Sequence, residues 1–288
     1  MDIENLLVIG SGAMGSQIGL VGALAGYDTT IQDVSGTALD KVRAGLRDRM
    51  ERNVEKNRTP REEADAAWQR IRFSTDLSAV APRADLVIEA ATENLDTKRM
   101  IFADLGRLTR SEAILATNSS SIGSSQVAAA TGRPDKVCNM HFFNPALVMK
   151  CVEVVRHAAT SQDTIDTVLE VARAMGKSPV LINREIPGFV ANRLMGAIRD
   201  EALRLRADGI ASFEDIDTAA RSALGHPMGP FELMDLVGLD VSYQIRQSTF
   251  DETGDPADLP HPDLAAMYER GDFGRKTGKG WYDYSGKA

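Results

Sequence analysis

Three glycines, Gly10, Gly12 and Gly15, stand in the string NLLVIGSGAMGSQIG, and an acid, Asp33, lies 18 residues beyond the last of them. Their spacing is GxGxxG, between an apolar run and a stretch of small residues at helical spacing. In that setting the first glycine permits a tight turn and the second lets a pyrophosphate approach the backbone. The third lets a helix pack close to a sheet, with the helix N-terminus facing the anion. Asp33 ends the next β-rich run, where a carboxylate accepts from ribose hydroxyls and repels a 2′-phosphate. The chemistry is therefore dinucleotide binding, with NAD preferred over NADP. A GxGxxG alone is also found as a glycine-rich turn in other α/β folds; the strand before it and the acid after it are what narrow the reading. A second residue invites chemistry: His141, alone in the apolar run KVCNMHFFNPALVMKCVEVV (136–155). A buried neutral imidazole needs partners for both ring nitrogens, and leaving one unpaired is costly.

These residues need a scaffold. NLLVIGSG, AMGSQIGLVGALAG and YDTTIQD read as strand, helix and strand, a βαβ unit that implies a parallel sheet. From about 35 to 70 the chain is charged and helical, with turn chemistry at Thr59-Pro60, and reads as two helices forming an arm outside the sheet. Strand patterns return at DLVIEAA (85–91), AILATN (113–118) and KVCNMHFF (136–143), then at KCVEVV and SPVLIN. Beyond REIPGF the pattern is all helical. One helix runs from about Phe189 to Arg206. A second opens at SFEDID, with Ser212 as N-cap and Asp215 three residues on, and a third covers GPFELMDLVGLDVSYQIRQSTF. The fold class is α/β. A Rossmann-type, mostly parallel sheet with a helical arm spans 1–184, and an all-α domain for substrate binding and dimerisation spans 185–288.

Composition sets limits. The chain has 288 residues, enough for one large domain or two ordinary ones, and with 43% of them hydrophobic a sizeable core can be buried. A net charge of −8 argues against a general nucleic-acid binder. The two cysteines, Cys138 and Cys151, are expected as buried free thiols of a reducing compartment. The acidic start MDIENLLVIG is unlike a signal peptide, and no apolar stretch reaches the ~18 residues of a membrane helix. A cytoplasmic protein with no membrane or nucleic-acid partner is expected. His157, His226 and His261 stand beside no expected catalytic partner. No His, Cys or Asp cluster has metal-ligand spacing, and there is no GxSxG elbow.

GSGAMG, EAATENLDTKRMIF, ATNSSSI, MHFFNP, VMKCVEVV, PGFVANR, HPMGPFELMDLVGLD and FGRKTGKGWYDY occur in that order. Together they resemble the L-3-hydroxyacyl-CoA dehydrogenase family, especially its short single-function 3-hydroxybutyryl-CoA members, over nearly the whole chain. The resemblance implies NAD-dependent oxidation of the 3-hydroxyl of an acyl-CoA. It implies His141 as base, Glu153 as the acid that orients it, and Ser120 and Asn192 as substrate holders. It implies cofactor contacts at Gly10, Gly12, Ala13, Met14, Gly15, Asp33, Glu93, Lys98, Asn118, Ser120, Asn144 and Lys276. It implies a homodimer formed through the helical domain, and an arm that meets CoA near Arg49 and Lys56. Arg49, Arg52 and Lys56 do share one helix face at three- and four-residue spacing. The chemistry agrees: a positioned imidazole can take a hydroxyl proton, and a carboxylate on its second nitrogen fixes the tautomer. His141 and Glu153 fall on separate expected strands, however, and their spacing does not pair them.

Each role has a plainer rival. His141 reads equally as a core histidine on a backbone carbonyl, and Glu153 as a solvated strand-end acid. Ser120 reads as an N-cap for a helix starting near Ser124. Asn192 reads as a helix-surface amide, Lys276 as a solvated turn lysine, and the arm's basic residues as a solvated face. The family's HFFNPVPVMKLVEV is HFFNPALVMKCVEV here, with Ala146, Leu147 and Cys151 replacing valine, proline and leucine, and its DxPGF is NREIPGF here, read as one residue longer. These departures bear on acyl-chain preference more than on reaction type. Two other functions fit the pattern less well. One is a dehydrogenase of a free hydroxy acid such as carnitine or gulonate; the other is a non-catalytic NAD-binding scaffold.

Overall fold

The computed structural model describes residues 2–286. Runs such as LVIE (86–89) and ILAT (114–117) show no polar alternation because every one of their side chains is buried. That is the signature of strands covered on both faces. Among the described residues β1 (Asn5–Ile9), β2 (Asp28–Gln32), β3 (Ile71–Ser74), β4 (Leu86–Glu89), β5 (Ile114–Thr117), β6 (Val137–Phe142), β7 (Cys151–Val155) and β8 (Ser178–Ile182) form one sheet. Its order is β3-β2-β1-β4-β5-β6-β7-β8. Neighbours from β3 to β6 are parallel; β7 runs antiparallel to β6 and parallel to β8. The short strand β3, absent from the sequence reading, follows directly on a charged helix and pairs with β2 at the sheet edge.

The helices of this half are α1 (Ala13–Leu24), α2 (Gly36–Glu55), α3 (Arg61–Arg70), α4 (Leu77–Val80), α5 (Leu95–Leu108), α6 (Ser125–Ala128) and α7 (Gln162–Ala174). Alternate residues of each strand feed two separate cores. Leu6, Val8, Leu86, Ile88 and Met140 pack with α1 and α7 on one face. Leu7, Ile9, Val87, Leu115 and Val137 pack with Phe102 and Leu105 of α5 on the other. The arm is α2 and α3, as expected from 35–70. Its base is rooted rather than free: Leu39, Leu46 and Met50 join Ala64, Ala67, Leu20 and Ile31 in a third cluster. Cys138 is fully buried, and burial pushes its thiol up to about 12. Cys151 is only partly buried, contrary to expectation, because it starts β7 at the margin of the core.

The chain divides into two compact units, the first ending at Phe189 and the second beginning at Val190. Residues 185–189, expected in the helical domain, fall in the first unit, where Glu185 bonds Ser124 and Ser125 and Phe189 packs with Val155 and Ile182. The second unit contains α8 (Ala191–Ala207), α9 (Phe213–Leu224), α10 (Pro230–Val237), α11 (Leu239–Thr253) and α12 (Pro262–Arg270). The expected third helix is broken in two at Gly238, whose φ of 110° lies outside helical space. Ser212 does cap α9, accepting from the Asp215 amide. Ala202, Leu203, Phe231, Met234, Leu264 and Trp281 form the core of this unit. Two buried carboxylates tie its C-terminal segment down. Asp217 takes the Phe231 and Glu232 amides and the Tyr282 hydroxyl; Asp235 takes the Trp281 and Tyr282 amides. Among the described residues, no helix is long and apolar enough to cross a membrane.

Candidate active site

The strand order reverses between β1 and β4, and crevices at such switch points, outside the carboxyl ends of the strands, are where α/β folds bind ligands. Gly10 crosses this point with φ 96°, and a Cβ on it would lie 2.6 Å from the Ala91 Cα. A Cβ on Gly15 would lie 1.9 Å from the Gly10 carbonyl oxygen, so only glycine lets α1 start this close to the sheet. A Cβ on Gly12 would meet nothing within 4 Å; the loop is open on that side. No side chain caps α1, and the amides of Ala13 and Met14 in its first turn have no intrahelical acceptor.

Asp33 stands at the end of β2, already committed to the loop. Its Oδ2 accepts from the Ser11 amide at 2.8 Å and the Ser11 hydroxyl at 2.7 Å, and its Oδ1 accepts from the Ser35 amide at 2.9 Å. Burial works to raise its pKa, but these hydrogen bonds outweigh burial and hold the carboxyl below the usual range. Ser11 was not among the residues singled out from sequence; a serine between two glycines carries no signal until Asp33 is seen facing it.

His141 and Glu153 meet. The antiparallel register of β6 and β7 places them directly opposite each other, and His141 Nδ1 lies 2.9 Å from Glu153 Oε2. They are 6% and 1% exposed, so the contact is dry. Phe143 and Phe189 flank the imidazole at ring-centroid distances of 4.5 and 5.7 Å. With Nδ1 on a carboxylate, the neutral ring carries its proton there and presents the Nε2 lone pair.

The loop after β5 carries Ser120. Ser120 is half-buried and does not cap α6; Ser119 closes the turn instead, its hydroxyl accepting from the Ser121 and Ile122 amides. Ser119 also donates to Glu93 Oε2, and Ser121 donates to the same oxygen. Glu93 therefore fastens two crossover loops together. Asn118 takes the Phe142 amide on its Oδ1 at 2.9 Å, fixing the end of β6 next to His141. Asn144 is exposed just past β6, ahead of a cis peptide to Pro145. Lys177 holds the following loop, donating to the Met149 carbonyl at 2.9 Å and to that of Ala146.

Lys98 reaches from α5 to the carboxyl end of β4. It is 1% exposed and donates to Glu89 Oε2 at 2.6 Å, an oxygen that also takes the Thr117 hydroxyl at 2.8 Å. Glu89 Oε1 accepts from the Ala91 amide, the backbone on which Gly10 rests. Glu89 thus links Lys98 to the backbone under Gly10, and removing either partner of the pair would strand a buried charge. A glutamate closing an otherwise apolar strand, with a lysine nine residues on, was the signal available in the sequence.

On the arm, Arg49 and Lys56 lie seven residues apart at the C-terminal end of α2, Arg49 half-buried and Lys56 exposed. In the second unit Asn192 is half-buried in the first turn of α8. Lys276 sits in the Gly274–Gly278 turn with its ammonium 2.6 Å from Asp240.

Residues 5–186 match the 3-hydroxyacyl-CoA dehydrogenase NAD binding domain, and residues 188–284 match the C-terminal domain of the same family. The chain belongs to the 3-hydroxyacyl-CoA dehydrogenase family. A 3-hydroxybutyryl-CoA dehydrogenase of Clostridioides difficile is 40% identical over 97% of this chain and 99% of its own length. The human mitochondrial hydroxyacyl-coenzyme A dehydrogenase is 37% identical over 98% of this chain and 91% of its own. Among solved structures, an Escherichia coli 3-hydroxybutyryl-CoA dehydrogenase superposes with a TM-score of 0.93 at 36% identity, covering all of this chain and 61% of that one. The (S)-3-hydroxybutyryl-CoA dehydrogenase of Ralstonia eutropha superposes at 0.89 and 35%, covering 98% and 99%.

As a 3-hydroxyacyl-CoA dehydrogenase the protein is an NAD-dependent oxidoreductase, and the loop fits that cofactor. Gly12 leaves space where a pyrophosphate must come close, the uncapped amides of α1 face that space, and Asp33 is held ionised beside it.

Proposed function

We propose that the enzyme oxidises the 3-hydroxyl of an L-3-hydroxyacyl-CoA to the 3-ketone, reversibly, with His141 as general base. The reading is carried by the buried contact of His141 Nδ1 with Glu153 Oε2, which leaves Nε2 as the acceptor for the hydroxyl proton. NAD, when bound at the glycine loop, is the acceptor for the hydride that leaves the hydroxyl-bearing carbon. The proton stays on Nε2, and Glu153 stabilises the imidazolium that forms. Phe143 and Phe189 hold the ring plane. Ser120, whose neighbour Ser119 carries the turn, keeps its hydroxyl for the substrate oxygen, and Asn192 is the second substrate holder. Arg49 and Lys56 meet the phosphates of CoA. Gly10, Gly12, Ala13, Met14, Gly15 and Asp33 hold the cofactor at the glycine loop, and Glu93, Lys98, Asn118, Ser120, Asn144 and Lys276 are its further contacts.

A short acyl chain such as 3-hydroxybutyryl is the substrate class proposed, in line with the relatives. A free hydroxy acid fits less well, because the family match covers both units; turnover of acetoacetyl-CoA against free keto acids separates the two. The test of the base is His141→Gln. It should lower kcat by roughly 10²–10⁴, the range for a general base, and leave NADH affinity intact. Near-normal turnover would return His141 to the status of a core imidazole.

A homodimer through the helical unit belongs to the same proposal. Leu194, Met195, Ile198, Leu236, Val237 and Ile245 are all exposed there, around an apolar cleft of about 240 Å³ lined by Met195, Ile198, Met228, Leu233 and Val237. Sedimentation should give twice the chain mass, and a monomer at micromolar concentration would refute it. The cytoplasm is the compartment proposed.

A further inference from the structure

Beyond the Asn118 amide, which still bonds the Glu89 carbonyl at 2.8 Å, the loop that carries Ser120 leaves the ladder, so side chains must fix it. From inside, Asn139 of β6 does so. Its Nδ2 donates to the Ser119 and Ile122 carbonyls at 3.1 and 3.0 Å, and its Oδ1 takes the Ser124 amide at 2.7 Å. From the other side the grip is a carboxylate distant in sequence. Glu185 Oε1 accepts from the fully buried Ser124 hydroxyl at 2.8 Å and from the Ser125 amide at 2.9 Å. The carboxylate lies flat on Gly123, where a Cβ would come within 2.8 Å of its Cδ.

Four residues on, Phe189 packs 5.7 Å from the His141 ring with φ 47°. A bulky residue is rare in that region and stays there only where its surroundings over-determine it. One five-residue segment therefore touches the Ser120 loop at one end and the His141 imidazole at the other. None of the contacts of Asp33 or of the glycine loop involves it.

We propose that Glu185 is a positioning residue, which sets the Ser120 hydroxyl relative to His141 by clamping the loop at Ser124 and Ser125. The proposal rests on the reading of Ser120 as a substrate holder. Its sequence signal is the acid two residues before Pro187: in EIPGF a glutamate stands where the family's DxPGF has aspartate, so the segment is substituted there rather than lengthened.

The test is a double-mutant cycle on the full-length enzyme, assayed with acetoacetyl-CoA and NADH, with NADH affinity titrated separately. Glu185→Ala should lower kcat by about 10- to 100-fold, the scale of an ångström misplacement, and lower NADH affinity far less, because the glycine loop and Asp33 lie outside the clamp. In a Ser120→Ala background the same change should add almost nothing. Glu185→Gln should recover most of the activity, because its amide oxygen can still accept both donors. Wild-type kcat in Glu185→Ala, full additivity with Ser120→Ala, or a Gln variant as poor as the Ala variant would each overturn the proposal. If Ser120→Ala alone is fully active, the substrate role of Ser120 falls, and the positioning role with it. If Ser120→Ala is impaired but the cycle is additive, only the positioning role falls. Should Glu185→Ala fail to fold, Ser124→Ala removes one of the two donors; it should give a smaller loss of kcat that again disappears without the Ser120 hydroxyl, and no loss would overturn the proposal.

Discussion

Glu153→Gln tests whether the dyad works through charge. Glutamine keeps the size of the side chain and an oxygen that can accept from His141 Nδ1, so what it removes at His141 is the negative charge facing a ring 2.9 Å away. That charge matters only when His141 carries the abstracted proton. For unit charges about 4 Å apart at an effective dielectric of about 20 the interaction is about 4 kcal/mol. The pair is almost wholly shielded from solvent, with Glu153 1% exposed, so salt screens it little. At about 1.4 kcal/mol per decade the loss in kcat should be roughly 10³. NADH affinity should not move. The assay is the steady-state rate of NADH oxidation by acetoacetyl-CoA for Glu153→Gln, His141→Gln and the double variant. Residues acting as one unit are strongly non-additive, so the double variant should be little worse than the worse single one. A Glu153→Gln loss below about tenfold, against the interaction worked above, would refute the electrostatic account. Additive losses would show that Glu153 does not act through His141.

Asp33→Ala should weaken NADH binding and narrow the gap to NADPH, because the repulsion of a 2′-phosphate disappears and Ser11 loses its acceptor; an unchanged NADH/NADPH affinity ratio in fluorescence titration would contradict this. Lys56→Ala should raise KM for acyl-CoA at nearly constant kcat, the pattern of lost uniform binding, and should leave an acyl-pantetheine substrate unaffected. Asp85 ties the start of β1 to the start of β4, accepting from the Glu4 and Asn5 amides, the Asn5 side chain and Arg110. Burial raises its pKa, but these partners prevail and hold it low. The stabilisation is therefore present above the ordinary carboxylate pKa and is lost as pH falls through the depressed one. Asp85→Asn should cost about 2 kcal/mol at neutral pH, the scale of hydrogen bonds to a charged group, and nothing in strong acid. A stability difference between variant and parent that does not change with pH in denaturant titrations would refute it.

What the sequence showed well was what local pattern controls. The glycine loop, the two arm helices and the fully apolar strands were legible because each is set by spacing or by burial on both faces. Gly238 was read through because the flanking residues keep helical character on both sides, and β3 because four residues at a sheet edge carry little pattern. Pairing across distance was not legible. His141 and Glu153 meet through an antiparallel register that twelve residues of separation do not dictate. The Glu89–Lys98 pair, the Ser11–Asp33 contact and the Glu185 clamp are likewise polar groups whose partners are fixed only by topology. The resemblance to a family supplied the roles of His141 and Glu153, but it gave no role to Glu185 or Glu89, whose partners are backbone amides and side chains of other elements.

The register that joins His141 to Glu153 also fixes how the site fails. Both residues lie inside strands, so separating them means breaking a ladder in the interior of the sheet, an opening whose free energy approaches that of global unfolding. The Ser120 loop is held mainly by side-chain clamps. On warming, amide protons of the loop should exchange well before those of β6 and β7, and turnover should decline while the dyad is still intact. Heat would then detach the substrate-holding side of the site before it touched the proton-accepting side, and cooling should restore activity as long as the sheet had not opened.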